Sequence, residues 1–334
     1  MTEYAADLAA IERARERIGG FVHTTPVLTS ATLDRRANCS LFFKCESFQR
    51  GGAFKARGAA SAIFALDDAT AKRGVVTHSS GNHAQAVALA AKARGIEAHV
   101  VMPSDAPAPK RSAVEGYGGR VVPCEPTQAS RLETANRVAE ETGATMIPPF
   151  DHPLVIAGQG TVALELLEQV SDLDAIVVPV GGGGLISGVA LAVRERAPHI
   201  RVFGAEPAGA ADAARSKASG ERVTEQVPKT IADGLKTTLG ELTWPVVRDL
   251  VEEVLVVEDL LTLGAMKLVF ERMKIVIEPS GAVPVAAVLS RAFSQLSGLR
   301  RVGVVISGGN VDLDQLPWVR GHRGAALVGA AKRT

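Results

Sequence analysis

The stretch AIVVPVGGGGLISG (175–188) decides the fold. An unbroken, β-branched apolar run of strand length passes through four consecutive glycines into a pattern of helical period. A strand with no polar alternation must be buried on both faces, and such strands belong to parallel sheets covered by helices. The same alternation recurs downstream, in RVFGAE (201–206), VLVV (254–257), helical patterns at 259–272 and 281–296, and RVGVVIS (301–307). Upstream of a helix over 154–170 lies a second series. In it GVVTHS (74–79), EAHVVM (97–102), RVVPCE (120–125) and TMI (145–147) alternate with helices near 82–94, 108–117 and 128–142. Short apolar runs separated by helices of this length imply right-handed βαβ units.

The expected fold class is therefore α/β, with two domains that are each an open, mostly parallel sheet with flanking helices. The opening helix (4–18) and the strand LFFK (41–44) are expected to pack on the later series. That makes a larger, discontinuous domain of 1–65 and 150–320, with 66–149 inserted as a smaller one and 321–334 as a loose tail.

Composition excludes several function classes. Thirty-seven basic against 36 acidic residues leave a net charge of +1, so neither nucleic acid nor an anionic membrane is an expected partner. No apolar run reaches membrane-spanning length, and acidic Glu3 and Asp7 do not suit a signal peptide. Cys39, Cys45 and Cys124 form neither a CxxC pair nor an even disulfide framework. A cytoplasmic protein is expected.

Four places can carry chemistry. Gly181, Gly182, Gly183 and Gly184 join a buried strand to a helix start, where free N–H groups and the helix dipole favour a phosphate and side chains would obstruct it. The run satisfies neither GxGxxG nor GxxxxGK[ST], although Glu206, ending the next strand, keeps a nicotinamide-dependent oxidoreductase open as a remote alternative. Lys55, preceded by Phe54 and two glycines, is a candidate Schiff-base lysine. Ser79-Ser80-Gly81-Asn82-His83 opens a helix with small polar groups suited to a carboxylate. Ser307-Gly308-Gly309-Asn310 follows the last strand, on the sheet edge where open α/β folds bind ligands.

Seven segments in order, SFQRGGAFKARGA (47–59), THSSGNHAQA (77–86), IAGQGT (156–161), VPVGGGGLISG (178–188), TIADGL (230–235), EPSGA (278–282) and SGGNVDL (307–313), closely resemble the serine racemase and serine/threonine dehydratase family, whose members are pyridoxal-phosphate (PLP) enzymes of fold type II. The resemblance runs from about Tyr4 to about Trp318. It implies that Lys55 carries PLP and accepts the Cα proton, that Phe54 lies against the ring, and that Asn82 meets the ring hydroxyl. It further implies that Gly181 to Gly184 hold the phosphate, that Ser307 faces the pyridine nitrogen, and that Ser79, Ser80, Asn82 and His83 form the substrate loop. Glu206, the carbonyl of Ala210 and Asp212 match the family's divalent-cation site, for Mg²⁺ or Ca²⁺.

The implied reaction is dehydration of L-serine or L-threonine to a 2-oxo acid and ammonia. Ser80 stands where dedicated threonine dehydratases usually carry alanine and racemases carry serine, and its hydroxyl supplies the second acid/base that inversion requires. The resemblance thus adds serine racemisation, while related 3-hydroxyaspartate dehydratases, which also carry SSGNH, remain the alternative. Arg131 is a candidate partner for their extra carboxylate. Pro149-Phe150-Asp151-His152 departs from the more polar stretch of the animal racemases and is similar to the dehydratases. The expected partners are a small 3-hydroxy amino acid and a second copy of the chain, as a homodimer.

Overall fold

The computed structural model describes residues 4–316 and Trp318; the expected tail at 321–334 lies outside the described residues. Ten strands form two sheets. In chain order they are β1 (Val27–Leu28), β2 (Ser40–Cys45), β3 (Val75–His78), β4 (Ala98–Pro103), β5 (Arg120–Cys124), β6 (Thr145–Met146), β7 (Ala175–Pro179), β8 (Arg201–Pro207), β9 (Glu253–Val257) and β10 (Arg301–Ile306). The larger sheet has the order β1-β2-β10-β7-β8-β9 and the smaller β5-β4-β3-β6. All pairings are parallel except β1 with β2. The α/β architecture of two mostly parallel sheets with flanking helical layers is the one expected.

The central strands show why their sequence is apolar without alternation. Ile176 and Val178 of β7 enter one core, while Ala175 and Val177 enter another on the opposite face of the sheet. Each fully buried aliphatic side chain contributes roughly 1.5–3 kcal/mol, so both faces favour the same residue types. The opening helix packs Ile11 and Ala14 into the first of these cores. It begins at Leu8 rather than at residue 4, because Asp7 caps it by accepting from the Ala10 N–H at 2.7 Å. The last expected helix is two pieces, Pro279–Val288 and Arg291–Ser294, since Ser290 caps a new start by accepting from the Phe293 N–H.

Helix Lys55–Phe64 joins the layers. Its Ala56, Ala59, Ala60 and Ile63 share a core with Val75 of β3 and with Val87 and Ala90 of helix Asn82–Arg94. Helix Pro153–Gln169 is clasped from two sides by glycines. A Cβ on Gly158 would lie 2.6 Å from the Arg57 carbonyl oxygen, and one on Gly188, in helix Gly184–Arg196, would lie 2.4 Å from the Gly160 nitrogen.

The Gly188 contact is backbone on backbone, so no side chain can rotate away to relieve a clash. Gly188→Ala should destabilise the fold by about 1–3 kcal/mol or more through overpacking. Chemical denaturation measures this, and an unchanged midpoint would show that the two helices do not meet so closely.

Candidate functional site

Because β2, β10, β7 and β8 run parallel, their carboxyl ends share one edge of the larger sheet. Residues 46–55 follow β2, Ser307 follows β10, Gly181–Gly184 follow β7, and Glu206 sits near the end of β8. The loop Ser79–Gly81 leaves β3 of the smaller sheet and leads into helix Asn82–Arg94.

Lys55 is the first residue of its helix. The turn before it is pinned by the Phe54 N–H donating to the carbonyl of buried Ser307 at 3.0 Å, beside a bridge between Ala53 and Gly308. The Lys55 Nζ donates to the Pro149 carbonyl at 2.6 Å and lies 5.1 Å from the centre of the Phe54 ring. Burial drives its pKa down to about 8, against the opposing charge of Glu278.

The glycine loop is required at backbone level. Gly183 has φ +86°, and at Gly182 a Cβ would fall 2.4 Å from the Phe150 ring. Phe150 therefore closes over the loop while its neighbour Pro149 receives Lys55. Asp151 anchors this segment: its carboxylate accepts from the N–H groups of Glu241, Leu242 and Thr243, at the start of helix Thr243–Leu250. Thr243 Oγ1 in turn donates to the Gly182 carbonyl at 2.8 Å. The Phe150-Asp151 pair is thus built into the closure of the glycine loop.

Asn82 donates from Nδ2 to both oxygens of Glu278, at 2.9 and 3.1 Å, and its Oδ1 accepts from Asn310 Nδ2 at 3.0 Å. Glu278 is buried, and its carboxyl is pushed up to about 8 by burial and by Asp233. This carboxyl had no assigned role in the sequence, although EPSGA marked the segment. The usable signal was an acid placed directly before a helix-opening proline in an apolar stretch.

The substrate-loop residues divide. Ser79 Oγ accepts from the Gly81 N–H at 3.2 Å, which shapes the loop, and Ser80 is part-buried beside it. His83 is buried, and its Nε2 bonds the Ile147 carbonyl at 2.9 Å. A carbonyl requires a donor, so Nε2 carries the hydrogen and Nδ1 is left as an acceptor, which no protein group meets. Burial and then Lys55 push the His83 pKa down to about 3. A neutral ring with only an acceptor free cannot donate to a carboxylate, so His83 braces the loop. Arg131, on helix Gln128–Thr142, lies close enough to His78 to lower its pKa, after burial, and has a buried Nε without a partner.

Glu206 and Asp212 are fully buried. Glu206 accepts from the N–H groups of Ala213 and Ala214, and Asp212 from Leu239 N–H and Gln226 Nε2. Burial and then Asp212 push Glu206 up to about 8, and burial raises Asp212. Ala210 ends the short turn between them. Two adjacent buried carboxyls, one of them raised by the other, suit an oxygen-ligated cation. No group of three His, Cys, Asp or Glu gathers among the described residues, so carbonyl or water oxygens would complete its shell. No described helix is long and apolar enough to cross a membrane.

The sequence profile of pyridoxal-phosphate-dependent enzymes matches residues 18–308. The chain belongs to that family. It is similar to the serine racemase of Oryza sativa subsp. japonica, 54% identical over 94% of this chain and 93% of the relative. It is also similar to the beta-hydroxyaspartate dehydratase of Paracoccus denitrificans, 50% identical over 91% of this chain and 96% of that one. Among solved structures it superposes on maize serine racemase with a TM-score of 0.93 at 53% identity, covering 96% of this chain and 98% of the other. Membership of the PLP family replaces the nicotinamide alternative, and the two-sheet architecture is that of fold type II.

The lowered pKa of Lys55 has a direct consequence in the cofactor-free chain. Only the free amine reacts, so acylation of Lys55 should accelerate as pH rises with a midpoint near 8. Peptide mapping after pulse labelling measures it, and a midpoint at the ordinary value of 10.5 would contradict the burial.

Proposed function

We propose that this chain dehydrates L-serine or L-threonine to a 2-oxo acid and ammonia, and racemises serine at the same site. The observation that carries the reading is the Lys55 amine, held by the Pro149-Phe150 segment that also closes over Gly181–Gly184. Bound PLP supplies an electron sink for the charge left at Cα when its proton is removed.

Lys55 would bear the cofactor and take the Cα proton on one face. Backbone N–H groups of Gly181 to Gly184 would hold its phosphate, and Phe54 would bound the ring site. Asn82, oriented by Glu278 and Asn310, would hydrogen-bond the ring hydroxyl. Ser307 would be the partner of the pyridine nitrogen, where a hydroxyl cannot keep a full positive charge as a carboxylate would; this would favour loss of the β-hydroxyl over transamination. Ser79 and Asn82 receive the substrate carboxylate, and Ser80 moves a proton on the opposite face. Among the described residues, those within 1–65 and 150–320 form the cofactor-binding domain and 66–149 a smaller one. The protein works as a cytoplasmic homodimer.

One observation favours 3-hydroxyaspartate as an alternative substrate: the unpartnered buried Nε of Arg131, which could pair with a second carboxylate. The relative from Paracoccus denitrificans carries that name.

Glu206, the Ala210 carbonyl and Asp212 bind Mg²⁺ or Ca²⁺. A cation that binds only the folded chain stabilises it by mass action. Chelation should therefore lower the melting temperature, added Mg²⁺ or Ca²⁺ should restore it, and Asp212→Ala should abolish the response. An unchanged melting curve in chelator, with no cation on elemental analysis, would count against the site.

The test of the two-face reading is Ser80→Ala. Inversion needs proton removal on one face and delivery on the other, whereas dehydration of an L-amino acid needs Lys55 alone. The variant should lose racemisation by roughly a hundredfold or more while most L-serine dehydration survives. Comparing kcat with KM separates lost catalysis from lost binding. Equal losses of both activities would defeat the assignment of Ser80.

A further inference from the structure

Arg57 stands two residues beyond Lys55, which on a helix is a turn of about 200°, so the two side chains leave opposite sides. Arg57 is fully buried, as are Lys44 and Glu46, and Glu165 is nearly so. Its guanidinium forms a two-pronged pair with Glu46, Nε to Oε2 and Nη2 to Oε1, both at 2.8 Å. A second two-pronged pair joins it to Glu165, from Nη1 at 2.6 Å and Nη2 at 2.8 Å. Nη1 also donates to Thr161 Oγ1 and Nη2 to the His23 carbonyl. All five N–H donors are thereby engaged. Lys44 Nζ completes the cluster on Glu165, the Thr25 carbonyl and Gln169. Two cations face two anions, and the cluster is neutral.

These groups come from separate elements. Lys44 and Glu46 lie at the end of β2, Thr161 and Glu165 lie on helix Pro153–Gln169, and Arg57 lies on the helix that begins with Lys55. Gly58 and Gly158 let the two helices meet at backbone distance. Close contact alone would permit the helix to slide or rotate, because glycines offer no interlocking side chain. The guanidinium fork fixes both motions, since its planar donors meet the two carboxylates in one geometry only. Buried ion pairs are seldom more stabilising than apolar residues of the same size, so stability is a poor reason for this cluster and geometry a better one.

We propose that Arg57 is a positioning residue: through Glu46 and Glu165 it sets the seat and rotation of helix Lys55–Phe64, and so holds the Lys55 amine at the Pro149 carbonyl. The inference rests on Lys55 as the cofactor-bearing residue. A displacement of about 1 Å at a reacting group can cost about a hundredfold in rate, which is how a residue outside the site reaches the chemistry.

The experiment uses the PLP-loaded enzyme with Arg57→Lys, which keeps a charge but cannot make two forked pairs. Borohydride reduction and peptide mapping first locate the cofactor in the wild type. With the cofactor on Lys55, Arg57→Lys should lower kcat for L-serine dehydration by about tenfold or more with KM within about twofold. It should also move the pH midpoint of the bound cofactor's absorbance band. Arg57→Ala supplies a second reading, because a cavity of about 190 Å³ lined by Arg57, Thr161, Glu165 and Gln169 adjoins the cluster. Millimolar guanidinium should restore much of the lost kcat, and urea at the same concentration should not. If Arg57→Ala does not fold, Arg57→Lys decides alone. An Arg57→Lys enzyme with unchanged kcat and spectrum, whatever its melting temperature, would overturn this inference and leave the function standing. Wild-type cofactor fixed at another lysine would overturn both.

Discussion

A lysine amine acts as a nucleophile near neutral pH only where its charged form is kept from water, and the rest of this structure is arranged around that constraint. Lys55 meets it by lying beside Phe54 and under the Pro149 carbonyl, where burial brings its pKa to about 8. The same segment supplies Phe150 to close over the glycine loop and Asp151 to tie the closure to the start of helix Thr243–Leu250. The amine and the glycine loop are thus held by one stretch of backbone, and neither can shift without the other.

Buried charge elsewhere is managed in three ways. The Arg57 cluster is internally neutral and fully hydrogen-bonded, which is the condition for burying ions at all. Glu278 has only the Asn82 amide as a side-chain partner, and it is pushed toward its neutral form. Glu206 and Asp212 oppose one another, so they are the pair that a cation would relieve. Satisfied charge lies behind the site, and unsatisfied charge lies where a ligand can complete it.

The sheets were legible because β7 and β10 are buried on both faces, so apolar runs such as AIVVPV (175–180) and RVGVVIS (301–307) stand out from their surroundings. β1 was not: two residues paired antiparallel with β2 leave no periodic trace. Helix Thr243–Leu250 was missed for another reason, since its first N–H groups are capped by Asp151, about ninety positions away, rather than by a local residue. The site motifs could be read because backbone-level binding demands glycine and small polar residues in contiguous runs. Asp151 and Arg57 could not, because each owes its role to partners brought together only by folding. The reverse holds for His83, whose place in a polar loop suggested a ligand contact while its buried ring serves the Ile147 carbonyl.

In the proposed function, Lys55 and Ser80 together give this PLP enzyme both elimination and inversion at the same Cα. Incubating the wild-type protein with L-serine, L-threonine and 3-hydroxyaspartate, while measuring both the 2-oxo acid and the D-enantiomer, tests it most directly. Pyruvate and D-serine should form together from L-serine. Absence of either product, in a preparation with PLP bound, would contradict this.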